Sequence, residues 1–202
     1  MENKRQEEDM DKLLAWEEIR TEHIVQDEWI DFRRSAYRYP DGRVFEPFYS
    51  YSRNNYAVIV ASDEEGRFIC VRQFRQGIKE VTTEFPAGGI ERTDGKEYGS
   101  SEYAEDALAA AKRELMEETG YVSDEWKHLL TVPSNATIAD NYAFIFRAEN
   151  CRPVGKQALD ETEVLNVEKY SSAEIEEMIF SGRFQQAVHV LAWMLAKEKA
   201  CK

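Results

Sequence analysis

One stretch constrains this chain more than any other: it runs from Glu105 through Arg113-Glu114-Leu115-Met116-Glu117-Glu118-Thr119 to Gly120 and Tyr121. Its spacing predicts a helix from about Glu102 to Thr119 that stops at Gly120, because helix ends favour a residue tolerant of positive φ. Leu108, Ala111 and Leu115 recur at i, i+3 and i+7, so one stripe of this helix must lie against an apolar surface. Glu114, Glu117 and Glu118 sit at i, i+3 and i+4 and project from a single face. Like charges at that spacing repel and cost helix stability. A divalent cation held by carboxylate oxygens offsets that repulsion. A solvated acidic face is the plainer reading of a Glu-rich helix taken alone.

Composition narrows the partners. The 202 residues carry 26 basic and 39 acidic side chains, a net charge of −13, with 43% hydrophobic residues. That apolar fraction builds a core, and the charge argues against bulk electrostatic grip on nucleic acid or an anionic membrane. A phosphate substrate stays open, since a cation held by a few carboxylates reverses the sign locally. No apolar run approaches the roughly 20 residues of a transmembrane helix, and the first residues lack the apolar core of a secretion signal. Cys70, Cys151 and Cys201 are odd in number and widely spaced, which points to a reducing, cytoplasmic setting.

Three segments are expected. Residues 1–20 form a charged helix or a loose arm, 21–55 a β extension, and 56–202 the main domain. In the extension, aromatic and β-branched residues flank Pro40-Asp41-Gly42 as two strands around a tight turn. A second hairpin joins 56–61 to 68–74 across Asp63 to Gly66. Further strands are expected near 127–132, 142–148 and 162–169, and helices near 172–180 and 184–199. Mixed strands and helices without βαβ alternation indicate an α+β class, a mixed sheet flanked by helices.

Glu105, Arg113, Glu114, Glu117, Glu118 and Gly120, with Leu115 and Tyr121 at the bulky positions, match E-x7-R-E-U-x-E-E-x-G-U. This resembles the box of the Nudix hydrolase superfamily. Upstream, Glu84-Phe85-Pro86-Ala87-Gly88-Gly89-Ile90-Glu91 is similar to the segment that leads into the family's box, with a polar insertion inside Arg92 to Tyr103. Gly88 rather than Gly99 then stands for the family's leading glycine. The resemblance implies an α/β/α sandwich and a loop-helix-loop platform for Mg²⁺, with Mn²⁺ as the alternative. It implies metal ligands at Glu114, Glu118, Glu117 and the Ala87 carbonyl, and structural roles for Glu105, Arg113 and Gly120.

Val71-Arg72-Gln73-Phe74-Arg75 followed by Glu84-Phe85-Pro86 looks like the ADP-ribose and ADP-sugar pyrophosphatase branch, in which Arg75 and Glu84 would reach the substrate. The acidic turn Asp160 to Glu163 is similar to the one that supplies the branch's catalytic base, Glu163 first and Glu161 behind it. The implied reaction is metal-dependent hydrolysis of a nucleoside diphosphate sugar, ADP-ribose foremost. UDP- or GDP-sugars and a non-catalytic nucleotide-binding regulator are the alternatives. The branch also implies a homodimer through the N-terminal strands. Trp29, Tyr37 and Phe45 fit either base stacking or an ordinary core. His23, His128 and His189 lack ligand spacing and receive no chemistry.

Overall fold

The computed structural model describes residues 10–90 and 101–200, with side chains over 10–90 and 106–197. The insertion beyond Ile90 and the Glu105 side chain lie outside the described residues. Two compact units are formed, one by residues 1–53 with 135–141, the other by 54–134 with 142–202.

In the first unit, strands β1 (Glu17–Gln26), β2 (Asp31–Arg38) and β3 (Val44–Ser52) make an antiparallel sheet in the order β1-β2-β3. The expected turn joins β2 to β3, closed by Gly42 N–H to the Tyr39 carbonyl at 2.9 Å, with Gly42 at φ +86°. A strand begins at Glu17, so the helix or loose arm expected for residues 1–20 is corrected there. Cross-strand charge pairs explain the strand. Glu17 meets Arg38 at 2.6 Å and Glu22 meets Arg34 at 2.5 Å, and a hydrogen bond of 2.7 Å joins His23 Nδ1 to Asp31. Trp29 and Phe45 are not core: they are 71% and 40% exposed.

The second unit is an 8-stranded mixed sheet with helices on both faces. Its strands are β4 (Tyr56–Asp63), β5 (Phe68–Arg75), β6 (Glu80–Glu84), β7 (Ala87–Gly89), β8 (Tyr121–Val122), β9 (Glu125–Pro133), β10 (Tyr142–Pro153) and β11 (Leu165–Tyr170). The order is β11-β5-β4-β10-β8, with β6 on β5, β7 on β4 and β9 on β10. β4 and β10 run parallel, and the remaining ladders of this sheet are antiparallel.

Period-2 alternation builds both cores from β4. Ala57, Ile59 and Ala61 face helix α1 (Ser101–Thr119) with Ala107, Ala111 and Leu115. Val58 and Val60 face helices α2 (Ser172–Phe180) and α3 (Ala187–Ala200) with Ile175, Met178 and Trp193. The capping box of α2 is complete, Ser171 N–H donating to Glu174 at 2.7 Å and Glu174 N–H to the Ser171 hydroxyl at 3.3 Å. Helix α3 starts at Ala187 rather than Phe184, whose ring is buried against Phe85 before the helix begins. Likewise β11 starts at Leu165, leaving Thr162 in the preceding turn. Among the described residues, no helix is long and apolar enough to cross a membrane.

Candidate active site

The site grows from β7. This three-residue strand is paired with β4 in the register Val58↔Ala87, Ala57↔Gly88 and Tyr56↔Gly89, which fixes its backbone. Ile59 N–H donates to the Pro86 carbonyl at 2.9 Å and Ile90 N–H to the Asn55 carbonyl at 2.8 Å, bracketing the segment. Helix α1 lies against it so closely that a Cβ on Gly88 would stand 1.9 Å from the Glu114 carboxyl carbon. Gly88 is therefore glycine because the Glu114 carboxylate occupies the space of a side chain.

Glu114 and Glu118, one turn apart, are 6% and 2% exposed. Ala87 N–H donates to Glu118 Oε2 at 3.0 Å. Arg113 spans the neighbouring acids, with Nη2 at 2.6 Å from Glu114 and Nη1 at 2.6 Å from Glu117. Its Nη2 also donates to the Gly89 carbonyl at 3.0 Å, tying helix to strand. Burial, the largest influence, pushes the Glu118 carboxyl up to about 8, and the charges of Glu114 and Glu163 add to it. Burial likewise raises Glu114 above the usual carboxylate range, against the pull of Arg113.

The acidic turn comes close to this pair. The segment after β10 satisfies the carbonyls that end α1, Ala158 N–H donating to Glu117 O and the Gln157 amide to Glu118 O, each at 2.8 Å. Beyond it, Glu163 Oε2 accepts from Asp160 N–H at 3.1 Å, and its charge acts on both Glu114 and Glu118. Glu161 is exposed.

Arg75 and Glu84 pair with each other. Glu84 has no exposed surface, and Arg75 Nε lies 2.9 and 3.1 Å from its two oxygens. Arg75 Nη2 and the Thr82 hydroxyl also bond this carboxylate. Burial, the largest single influence, disfavours the Glu84 charge, but Arg75, His189 and Thr82 together outweigh it and hold the carboxyl below the usual range. Behind it stands His189, 4% exposed, whose Nδ1 accepts Phe85 N–H at 3.2 Å while Nε2 lies 3.9 Å from Glu84. Sequence reasoning missed Thr82 and His189. The available signal was a histidine inside the apolar run Ala187-Val-His-Val-Leu-Ala-Trp193.

The donor set fits a hard cation. Two buried carboxylates share one face with a third, and the space that a Cβ at Gly88 would fill belongs to one of them. As they stand, with Arg113 on Glu114 and Glu117, no three Asp, Glu, His or Cys side chains among the described residues are drawn together around a cation position.

Comparison with known proteins bears on the family and the fold. The NUDIX domain family model matches residues 52–193. The ADP-ribose pyrophosphatase of Bacillus subtilis (strain 168) is 26% identical over 190 residues, covering 93% of this chain and 96% of the relative. The methanol dehydrogenase activator of Bacillus methanolicus is 25% identical over 185 residues, covering 91% and 93%. Among solved structures, an ADP compounds hydrolase shares the fold with a TM-score of 0.76 at 19% identity, covering 92% of this chain and 94% of that one. The chain belongs to the Nudix hydrolase family and resembles its ADP-ribose pyrophosphatase branch.

Proposed function

We propose that this enzyme hydrolyses the diphosphate bond of a nucleoside diphosphate sugar, with ADP-ribose as the leading substrate and AMP and ribose 5-phosphate as products. One observation carries the reading: two buried acids, Glu114 and Glu118, share one helical face, and Glu118 stands within electrostatic reach of the Arg75 guanidinium. That arrangement offers oxygen donors for a metal beside a positive charge for phosphate. The similarity to the Bacillus subtilis ADP-ribose pyrophosphatase supports the choice of substrate.

In this reading Glu114, Glu117, Glu118 and the Ala87 carbonyl hold Mg²⁺ or Mn²⁺. When bound, the ion supplies Lewis-acid polarisation of phosphoryl oxygens. Arg75 contacts the diphosphate, and Glu84 holds Arg75 in place from behind. Glu163 takes the proton from the attacking water as the new phosphorus–oxygen bond forms, and Glu161 is the reserve for that role. The bond to the bridging oxygen breaks, and the electron pair leaves with the second phosphate. Glu105, Arg113 and Gly120 hold helix and loop together. The molecule acts in the cytoplasm as a homodimer assembled through β1–β3.

The test is incubation with Mg²⁺ and ADP-ribose, with AMP followed by chromatography. Glu118→Gln is expected to lower kcat by about 100-fold or more while the thermal melt changes little. Full turnover in excess EDTA would overturn the metal assignment. A tenfold advantage for UDP-glucose or GDP-mannose in kcat/KM, about 1.4 kcal/mol, would overturn the ADP-ribose choice but not the hydrolase. The likeness to the methanol dehydrogenase activator favours a second reading, a nucleotide-binding regulator. Nucleotide binding without turnover over the whole panel would establish it.

A further inference from the structure

Helix α3 sets a histidine among apolar neighbours: Val188, Val190, Leu191, Ala192 and Trp193 all belong to the core around His189. Burying a polar ring there costs free energy unless its nitrogens are used. Nδ1 accepts Phe85 N–H at 3.2 Å, and Phe85 lies between β6 and β7, outside both strands. An accepting Nδ1 leaves the ring proton on Nε2. Burial pushes the ring down to about 4, so at neutral pH it carries that single N–H and no charge.

The Nε2 end faces a different group. It lies 3.9 Å from Glu84 Oε2, too far for a hydrogen bond but close enough for its dipole to act in a dry interior. Oε2 is the oxygen that Arg75 engages twice, through Nε at 3.1 Å and through Nη2. Three side chains are thus linked from the core outward: His189, Glu84 with no exposed surface, and Arg75, 32% exposed.

We propose that His189 is a positioning residue: from α3 it fixes the Glu84 carboxylate, and through Glu84 it sets the Arg75 guanidinium. The proposal rests on the reading above that Arg75 contacts the diphosphate.

Capping Phe85 explains one nitrogen only. An asparagine would supply that acceptor with a smaller side chain, so the cap does not account for an imidazole. The Nε2–H end meets a second need. Burial disfavours the Glu84 charge, and Arg75 counters it from the exposed side with a forked contact. Thr82 steadies Oε1, and the Nε2–H dipole faces Oε2 from the core. Position is fixed along with charge. Phe85, next to Glu84, packs on Phe184 at 5.1 Å and on Trp193 at 6.4 Å, and Trp193 is one turn beyond His189. Helix α3 therefore holds residue 85 by a ring contact and a hydrogen bond, and residue 84 by the adjoining dipole.

Two substitutions separate the nitrogens. His189→Asn keeps an oxygen where Nδ1 accepts Phe85 N–H and removes the group that faces Glu84. His189→Gln sets an amide near the Nε2 position and gives up the Nδ1 acceptor. The His189→Asn enzyme should melt close to wild type yet lose about tenfold in kcat/KM for the nucleotide sugar, chiefly through KM. The His189→Gln enzyme should melt lower yet keep kcat/KM within about twofold of wild type. In an Arg75→Ala background the His189→Asn step should change kcat/KM by less than about twofold, because the group it acts through is gone. Nitrogen NMR of the wild type with isotope-labelled histidine should place the His189 proton on Nε2. A purely structural histidine gives the reverse: His189→Asn as active as wild type, and His189→Gln impaired together with its melt. That result would overturn the proposal, as would a proton on Nδ1 or a His189→Asn loss undiminished in the Arg75→Ala background. An Arg75→Ala enzyme as active as wild type, or a wild type that turns over no nucleotide sugar, would overturn the reading beneath the proposal, and the proposal with it.

Discussion

At the scale of single residues, Gly88 and Glu114 share one volume. Gly88→Ala forces the Glu114 carboxylate away from β7 and loosens its bond to Arg113. Because the displaced atoms end a flexible side chain, the expected cost is function rather than folding. Calorimetry should show at least tenfold weaker Mg²⁺ binding, with a melt close to wild type. Titration offers a second test, in metal-free protein. Glu118 sits at about 8 against an ordinary 4.5, so the native state binds more protons across that window. Its contribution to stability therefore falls as pH rises from 4.5 to 8, by roughly 5 kcal/mol. Burial pushes His189 down to about 4 from 6.5, so the native state binds fewer protons there. Its contribution rises with pH from 4 to 6.5, by roughly 3 kcal/mol. Denaturant titrations in EDTA should lose the first slope in Glu118→Gln and the second in His189→Asn, whose amide oxygen still accepts Phe85 N–H. A metal-free stability that keeps climbing from pH 6.5 to 8 in the wild type would refute the Glu118 assignment. The spacing of Glu114, Glu117 and Glu118 was legible because helical periodicity is local. The pairing of Glu84 with His189 was not, because 105 positions separate them in the chain.

Among elements, α1 and the strands β4, β5, β9, β10 and β11 were legible in the sequence, whereas β1 and the short strands β6, β7 and β8 were not. The β1 sequence, Glu17 to Gln26, is exposed along almost its whole length, so no buried stripe marks it. What holds it is pairing with β2 through charges that only the register brings opposite each other. β7 escaped notice for a different reason. Ala87-Gly-Gly89 has no strand propensity, and the β4 ladder alone makes it extended. The end of α1 was readable from Gly120, and the structure adds a second reason for that glycine. Gly120 has φ +75°, and a Cβ would stand 2.5 Å from the Gly155 carbonyl oxygen. Gly120 N–H bonds to the Met116 carbonyl at 2.8 Å, and its own carbonyl accepts Val154 N–H at 2.9 Å. Gly120→Ala therefore meets both a left-handed backbone and a backbone clash. The expected loss is about 3 kcal/mol in denaturant unfolding, with Mg²⁺ affinity weakened as the carboxylates shift. A loss under about 1 kcal/mol would show that the loop after β10 relaxes freely.

For the molecule as a whole, the unit built on 54–134 and 142–202 closes its own two cores, and the three-stranded sheet does not. Val44, Phe45 and Tyr49 of β3 are 53%, 40% and 45% exposed, and Trp16 is 46% exposed. Trp16 contacts Tyr39 at 4.4 Å and Tyr39 lies 6.3 Å from Phe45, so these three rings are linked into one patch. Contiguous apolar surface of this kind marks an interaction face in a soluble protein. The aromatic content of 21–55 was visible in the sequence, but its exposure was not, because alternation alone does not say which face is covered. A second copy of the chain is the proposed cover, since a two-fold contact lets one patch serve both subunits. Phe45→Glu places a charge in that patch where the isolated chain already exposes the ring. Its expected effect is on association rather than on folding. Sedimentation equilibrium at micromolar concentration should show a dimer for the wild type and a monomer for Phe45→Glu, with far-ultraviolet circular dichroism unchanged. A wild type that sediments as a monomer throughout would refute the dimer, and the carboxylates of α1 would then complete their site within one chain.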